Sequence, residues 1–382
     1  MRGRAVLIWA ACALSGGEAI AGWSHSYNGI GQNCGFLGVS APGPLDAYLV
    51  GVQDTGTGNQ EGIVLVTHDG GGSWSKVKPS PSAIAFYVSV HASSALDAFV
   101  GTAMGRVWNT TDGGSGWAPS LDAGMSSISG LGGWGDLLVV AGTGNGSIHR
   151  SVDGGMVWTE VATPLGETTI SGILFVDELH GWARAGSYDE DTGVYSGGGI
   201  ARTLDGGMTW EPLLSGEPRS VTAMSFIGLY EGWILSVSGT GSSIEKTIDG
   251  GSTWTPLEVP AYSGGPVDYL WDIDMFDRCE GWLALSTGEE QPVSAFLYTT
   301  DGGTLWAEID MAWAAIDLPF PFPVRGNPIA MDFASRDSGF CGGFYEFIGT
   351  YAADGPATEC DVPDPGDGPY GGDSGCGCAI VR

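Results

Sequence analysis

The chain has 382 residues, of which 66 are glycine and 15 are tryptophan, and only 15% of its residues are charged. Hydrophobic residues make up 43%, which excludes a wholly disordered chain, and the glycines follow no three-residue period, which excludes collagen. The net charge of −30 at pH 7 argues against binding to nucleic acid or anionic lipid. Such a composition is typical of many short strands joined by glycine-rich turns.

The first 21 residues have the features of a secretory signal peptide. Arg2 and Arg4 precede a short apolar run from Ala5 to Leu14, and small residues at 19–21 provide a cleavage site. The apolar run is too short to cross a bilayer. Cleavage would leave 12 basic and 43 acidic residues. We therefore predict a secreted, periplasmic or cell-surface protein without a transmembrane segment in the mature chain.

One eight-residue motif, which we call the Asp-Gly-Gly turn, recurs six times as Ser/Thr-x-Asp-Gly-Gly-x-x-Trp. Its aspartates are Asp69, Asp112, Asp153, Asp205, Asp249 and Asp301. They lie 41 to 52 residues apart, which is the length of one four-stranded propeller blade. Aspartate accepts hydrogen bonds from nearby backbone amides, and glycine tolerates positive φ, so the motif suits a tight turn. Copies spread around a ring cannot serve one site, and we interpret the aspartates as structural.

A second landmark, an aspartate or glycine followed by apolar residues, precedes each turn. The seven landmarks begin at Asp46, Asp97, Asp136, Gly181, Gly232, Gly281 and Gly339. Asp354-Gly355 follows the last landmark as a decayed turn without tryptophan. The sequence therefore predicts an all-β, seven-bladed β-propeller of four-stranded antiparallel blades over residues 22–357, with six intact turns and one decayed. Trp23 lies where a strand could complete the last blade.

The repeated turn resembles the Asp-box, also called the BNR repeat. With its Gly-Trp landmarks, the chain is most similar to the photosystem II stability/assembly factor-like propellers. The resemblance implies that the boxes are structural and lie away from the ligand face, and that the protein binds a partner. The Asp-box proteins also include sialidases, so a divergent sialidase-like glycoside hydrolase is the alternative function. Their Arg-Ile-Pro motif is absent from this chain.

The sequence indicates no catalytic residues, metal site or cofactor. Residues 358–382 are predicted to form a flexible tail rich in proline, glycine and aspartate. Within the tail, Gly372 to Cys378 resembles the opening of myxobacterial C-terminal sorting signals, which implies possible surface anchoring. The signal's later part is absent from the sequence given.

Loop lengths predict where a protein or glycan partner binds. The loops between second and third strands, and the connections between blades, lie at the end opposite the Asp-Gly-Gly turns. All the length variation falls at that end, where recognition usually resides. The residues predicted for binding are Trp313, Phe320 and Phe322 in the longest connection, with Asp189, Glu190, Asp191, Glu289 and Glu290 in loops. The alternative is that the aromatic residues plug the mouth of a central channel.

Three basic residues share one position, three residues before the aspartate of their turn. They are Arg150, Arg202 and Lys246. A sialidase would need arginines that converge on one carboxylate, whereas equivalent positions in a repeat are spread around the ring. We interpret their stems as packed between blades, with the charged groups at the rim.

Six cysteines remain after the predicted cleavage, and an even number in an exported chain favours disulfides. Cys279 and Cys341 fall in adjacent predicted blades and form one candidate pair. Cys34 opens the first blade and Cys360 follows the last, so a bridge between them would lock the ring seam. Six cysteines allow 15 connectivities, and the sequence leaves the choice open.

Overall fold

A computed structural model of the chain describes residues 12–13, 19–20, 23–25, 34–54, 60–81, 85–136, 138–189, 194–263, 265–287, 293–308, 330–342 and 348–352. The described residues form strands and turns, without helix. Near the N-terminus, β1 (Cys12–Ala13) pairs with β2 (Ala19–Ile20), and β3 (Trp23–His25) belongs to a larger sheet described below.

Six four-stranded antiparallel sheets are each built from four consecutive strands, and we call them blades 1 to 6. Blade 1 contains β4 (Cys34–Gly43), β5 (Asp46–Asp54), β6 (Gln60–Thr67) and β7 (Ser75–Val77). Blade 2 contains β8 (Tyr87–Ala92), β9 (Ala98–Thr102), β10 (Arg106–Thr110) and β11 (Ala118–Asp122). Blade 3 contains β12 (Ile128–Trp134), β13 (Leu138–Thr143), β14 (Ile148–Ser151) and β15 (Thr159–Val161).

The same arrangement continues through the second half of the chain. Blade 4 contains β16 (Ile170–Phe175), β17 (Gly181–Asp189), β18 (Val194–Thr203) and β19 (Glu211–Glu217). Blade 5 contains β20 (Arg219–Phe226), β21 (Gly232–Ser238), β22 (Gly241–Thr247) and β23 (Thr255–Leu257). Blade 6 contains β24 (Val267–Met275), β25 (Gly281–Thr287), β26 (Val293–Thr299) and β27 (Ala307–Glu308). Each Asp-Gly-Gly turn joins the third and fourth strands of its blade, as the sequence predicted.

The remaining four-stranded sheet, which we call the composite sheet, draws its strands from two distant parts of the chain. It contains β28 (Ala330–Ser335), β29 (Ser338–Gly342), β30 (Ile348–Ala352) and the N-terminal β3. Trp23 lies opposite Tyr351 in this pairing. The predicted seven-bladed propeller is therefore wrong: the structure has six blades, each formed in chain order, and the composite sheet is assembled differently from them.

The physical reason is that a ring of sheets must be closed where its two ends meet. β3 occupies the outer position that a turn and a following strand fill in blades 1 to 6. Asp354-Gly355, the predicted decayed turn, lies outside the described residues. The inner strand β28 packs against β4 of blade 1 and β24 of blade 6, so the composite sheet lies between these two blades.

The first strand of each sheet lies at the centre and packs against the first strand of the next sheet. Hydrophobic side chains fill the spaces between sheets. Trp182, Trp233 and Trp282 of the Gly-Trp landmarks are fully buried there. The ring of Trp182 stacks on Phe226 of the next blade with centroids 3.8 Å apart. Full burial of a large apolar side chain contributes about 1.5–3 kcal/mol, so these contacts hold neighbouring blades together.

Glycine is required where inner strands approach closely. A Cβ atom at Gly132 of β12 would lie 2.4 Å from the carbonyl oxygen of Ile173 in β16. A side chain at this position would clash with the backbone of the next strand. Glycine is therefore needed here for strand packing, in addition to its role in turns.

The predicted disulfides stay predictions. Cys279, in the turn after β24, and Cys341, in β29, are both buried. Cys34 begins β4, and Cys360 lies outside the described residues.

Candidate binding site

In the six Asp-Gly-Gly turns, the aspartate carboxylate and the Ser or Thr hydroxyl bond to groups of the same turn. In each, the Ser or Thr hydroxyl donates to the aspartate Oδ1, as from Thr203 to Asp205 at 2.9 Å. The same hydroxyl accepts the N–H of the second glycine, at 2.8 Å for Gly207. The aspartate Oδ1 accepts the N–H four residues later, at 2.8 Å from Thr209. These carboxylates therefore act within their turns, which supports the structural interpretation.

Hydrogen bonding also lowers the pKa of several of these carboxylates. For Asp69 the main cause is the Ser73 hydroxyl, and for Asp112 and Asp153 it is the N–H of Gly116 and of Val157. A carboxylate that stays ionised and saturated with donors is a poor proton donor or acceptor, which argues against a catalytic role.

Two of the three basic residues at the shared offset, Arg150 and Arg202, reach the next blade, as predicted, and Lys246 contacts residues of its own blade. Arg150 Nε donates to the carbonyl of Gly206 at 2.5 Å, and Arg202 Nη1 to that of Gly250 at 3.3 Å. Lys246 lies over the Trp233 ring, 4.5 Å from its centroid. The two arginines therefore each tie the turn of one blade to the preceding blade, and the three side chains do not converge.

The inner strands surround a central channel with a volume of about 290 Å³. Backbone ladders do not join one sheet to the next, so side chains bond to the exposed backbone groups instead. Asp272 Oδ2 accepts the Met331 N–H at 2.8 Å, and Asp332 Oδ2 accepts the Ala41 N–H at 2.7 Å. Ser40 Oγ likewise accepts the Ala92 N–H at 3.0 Å. These bonds fix the channel's shape by satisfying strand edges.

Charged groups line the channel. They are Arg184, Asp272, Asp274 and Asp332, together with His91. Burial raises the pKa of Asp272 to about 7, with a further contribution from the neighbouring Asp274. Burial lowers the pKa of His91 to about 4, so this imidazole is neutral at pH 7. The channel is a polar cavity in which one guanidinium faces an excess of carboxyl groups.

Arg184 enters the channel from the second strand of blade 4. Its Nη1 donates to Ser171 Oγ at 2.9 Å and to the Val221 carbonyl at 3.1 Å. A Cβ atom at Gly172 would lie 2.4 Å from its Nε, so the side chain crosses the inner strand where that strand lacks a side chain. Burial lowers its pKa, and the charge of Asp272 opposes that effect.

We call the end of the sheets that carries the second-to-third strand loops and the blade connections the connection end. Carboxylates are exposed there in blades 3 to 6; they are Glu160, Glu167, Glu217, Glu258 and Asp268. Four basic side chains of this end form ion pairs: Arg106 with Asp122, Arg219 with Glu245, and both Lys76 and Lys78 with Glu61. The described part of this end therefore presents unpaired negative charge.

Most of the predicted partner-binding residues lie outside the described residues. Trp313, Phe320, Phe322, Glu190, Asp191, Glu289 and Glu290 belong to that group. Asp189 ends β17 at the connection end, with its backbone opposite Val194. Their grouping into one site stays a prediction.

Sequence reasoning missed the charged channel residues. A signal existed for Arg184, which lies three residues after Gly181 of its landmark. Blades 5 and 6 have Leu235 and Ala284 at that position. A charged residue within the otherwise apolar first half of a second strand indicates a side chain with a special environment.

Among the described residues, no group of three or more His, Cys, Asp or Glu side chains could hold a metal ion. The described part of the chain also contains no helix with the length and hydropathy needed to cross a membrane.

No protein-family model matches this chain, and no curated protein matches it. Solved structures do. One titled "YCF48 bound to D1 peptide" is 21% identical, with 87% of this chain and 97% of that chain covered and a TM-score of 0.62. YCF48 from Cyanidioschyzon merolae is 17% identical, with 87% and 99% covered and a TM-score of 0.59. The GH74 xyloglucanase from Xanthomonas campestris is 12% identical, with 80% and 65% covered and a TM-score of 0.53.

These likenesses identify the class of protein as a β-propeller that resembles YCF48 in fold. The similar structures include one bound to a peptide and one enzyme. At such identities they establish the fold alone, because one fold hosts many functions.

Proposed function

We propose that this protein is an exported, non-catalytic propeller scaffold that binds a protein partner through the connection end. The observation that carries the proposal is the set of exposed carboxylates at that end. Glu217 and Asp268 belong to it, and neither has an ion-pair partner among the described residues. A rigid ring that presents unpaired negative charge beside loops of variable length suits recognition of a basic protein segment.

The six turns belong to the scaffold in this proposal, and we assign them to the Asp-box class. A peptide-bound structure of similar fold supports a protein partner. Export rests on the signal-like residues 1–21 and is tested by sequencing the N-terminus of protein recovered outside the cytoplasm. The tail beyond residue 358 supplies a candidate anchor.

The charge of the connection end is tested by neutralising three of its carboxylates with Glu217→Gln, Glu258→Gln and Asp268→Asn. Binding is measured on arrays of basic peptides and of glycans. We expect capture of basic peptides that weakens with salt and falls about tenfold or more in this variant.

The matched control neutralises three exposed carboxylates at the opposite end with Asp136→Asn, Glu178→Gln and Asp337→Asn. It should bind as wild type does, because net charge changes equally in both variants. Equal loss in both variants, or capture of glycans alone, would refute the proposed partner class.

The aromatic connection is tested separately with Trp313→Ala combined with Phe320→Ala. We expect loss of partner capture with the free energy of unfolding within about 1 kcal/mol of wild type, because the side chains are proposed to face the partner. An unfolded variant, or one that still captures peptide, would show that these residues are packing instead.

The glycoside hydrolase alternative requires two carboxyl groups that flank a bond. In the channel, Asp272 and Asp274 bond to backbone N–H groups of β28, at 2.8 Å and 3.2 Å. Such bonds give both a structural role. Fluorogenic glycosides provide the direct check, and turnover that disappears in Asp272→Asn would favour the enzyme over the scaffold.

A further inference from the structure

The guanidinium of Arg184 differs from most others in the protein. Among the described residues, the side chains of Arg106, Arg202, Arg219, Arg278 and Arg336 each form an ion pair with a carboxylate. Arg184 forms no ion pair with a carboxylate of the described residues, although it lies in a cavity that three aspartates also line. A desolvated charge without a contacting counter-charge is costly, so this guanidinium is placed to gain free energy from an anionic ligand.

The donors of Arg184 are only partly used. Within the described part of the chain, its hydrogen bonds go from Nη1 to two uncharged acceptors, Ser171 Oγ and the Val221 carbonyl. A guanidinium offers five N–H donors in a planar fork that matches a carboxylate. The remaining donors can therefore receive a carboxylate that enters the channel.

Asp272 is the complementary group in the same cavity. Its carboxylate accepts the N–H of Met331 at 2.8 Å and of Ile273 at 3.0 Å, which leaves lone pairs for another donor. Arg184 and Asp272 interact electrostatically without a hydrogen bond between them. They therefore stand as separate basic and acidic positions.

We propose that the central channel binds a small zwitterion, an amino acid, whose carboxylate contacts Arg184 and whose ammonium group contacts Asp272. A simple anion would be attracted by Arg184 but repelled by the three carboxyl groups of the channel. A simple amine would be repelled by the unpaired guanidinium. Only a ligand with both charges satisfies both positions. The volume of about 290 Å³ limits the ligand to a small molecule. This site is independent of the proposed protein partner.

Calorimetric titration of the full chain tests the proposal with L-alanine, β-alanine, γ-aminobutyrate and 6-aminohexanoate, in which the charges are progressively further apart. We expect at least one to bind. The amide of that compound, which lacks the carboxylate, and its N-acetyl form, which lacks the ammonium, should each bind about tenfold or more weakly. Failure of all four to bind, or equal binding of the single-charge analogues, would overturn the proposal.

Three variants assign the contacts. Arg184→Met should abolish binding with an unchanged or higher melting temperature, because it removes a costly charge. Arg184→Lys should bind the zwitterion more tightly than Arg184→Met does, because it keeps a positive charge. Asp272→Asn should bind the zwitterion more weakly than wild type, while its amide oxygen still accepts the Met331 N–H. The control is Arg150→Met, which removes another arginine without an ion pair but outside the channel. Unchanged binding in Arg184→Met or Asp272→Asn would refute the assignment; if Arg184→Met fails to fold, the lysine and asparagine variants decide.

Discussion

At the scale of single residues, the aspartate of each Asp-Gly-Gly turn is held by donors that the same turn supplies. Asp205 accepts bonds from the Thr203 hydroxyl, the Thr209 N–H and the Thr209 hydroxyl, at 2.9, 2.8 and 2.6 Å. The adjacent Gly206 N–H donates to the carbonyl of Leu179 at 2.8 Å, which ties the turn to the first hairpin of its blade. One side chain therefore organises the end of a blade.

Asp205→Ala should destabilise the protein by about 1–3 kcal/mol, because donors in the turn lose their acceptor. The measurement is urea unfolding followed by tryptophan fluorescence. Asp268→Ala is the control, since this exposed aspartate accepts a bond only through its backbone carbonyl and should change stability by less than about 0.5 kcal/mol. Partner binding lost with unchanged stability would contradict the structural role.

Acid should weaken the fold through the same carboxylates. The folded-state pKa values of Asp69, Asp112 and Asp153 lie below the unfolded value of 3.8. Their contribution is therefore present above that value and is lost as pH falls through the lower folded values. Urea midpoints should decline as pH falls below about 4. A variant with all three changed to asparagine should show a flatter decline, and an identical acid dependence would contradict this account.

At the scale of elements, the landmark tryptophans couple neighbouring blades. The indole N–H of Trp182 donates to the Gly250 carbonyl in the turn of blade 5, at 3.1 Å. Trp233 does the same to Gly302 of blade 6, at 3.0 Å. Each bond accompanies a fully buried ring, so apolar packing and a polar contact act on the same pair of blades.

Trp182→Phe should lower stability by about 1–3 kcal/mol, because the buried carbonyl loses a donor and a smaller ring leaves a cavity. Trp117→Phe is the control, since the Trp117 N–H bonds only within its own turn, to Gly114 at 3.1 Å, and its ring is partly exposed. Thermal unfolding of both variants gives the comparison. An equal or larger loss of stability in Trp117→Phe would show that the inter-blade hydrogen bond adds no stability of its own.

At the scale of the whole molecule, the ring is closed by strands from both ends of the described chain. β3 pairs with β30 through Trp23, Ser24 and His25. Packing of β28 on β4 then joins the composite sheet to blade 1. Stability of the closed ring therefore depends on three residues far in sequence from their partners.

A chain that starts at Ser26 should be less stable than one that starts at Gly22 by about 2–3 kcal/mol, since it loses a short ladder of backbone hydrogen bonds. The Gly22 chain is the control because it lacks the predicted signal but keeps β3. Hydrogen exchange should show faster exchange confined to the composite sheet and blade 1. Equal melting temperatures for the two chains would show that β3 is dispensable.

The sequence by itself determined the blades, because the Asp-Gly-Gly turn and the Gly-Trp landmark are local patterns that repeat with the blade. The all-β propeller architecture, the hairpin that each turn closes and the inter-blade position of Arg150 could be predicted from those patterns, whereas the predicted number of blades was wrong. The composite sheet could not be established in the same way, since pairing of Trp23 with Tyr351 joins residues over 300 positions apart without a turn motif between them. Only the tertiary structure decided that Arg184 and Asp272 share one cavity, because they come from different blades and meet only when the ring closes.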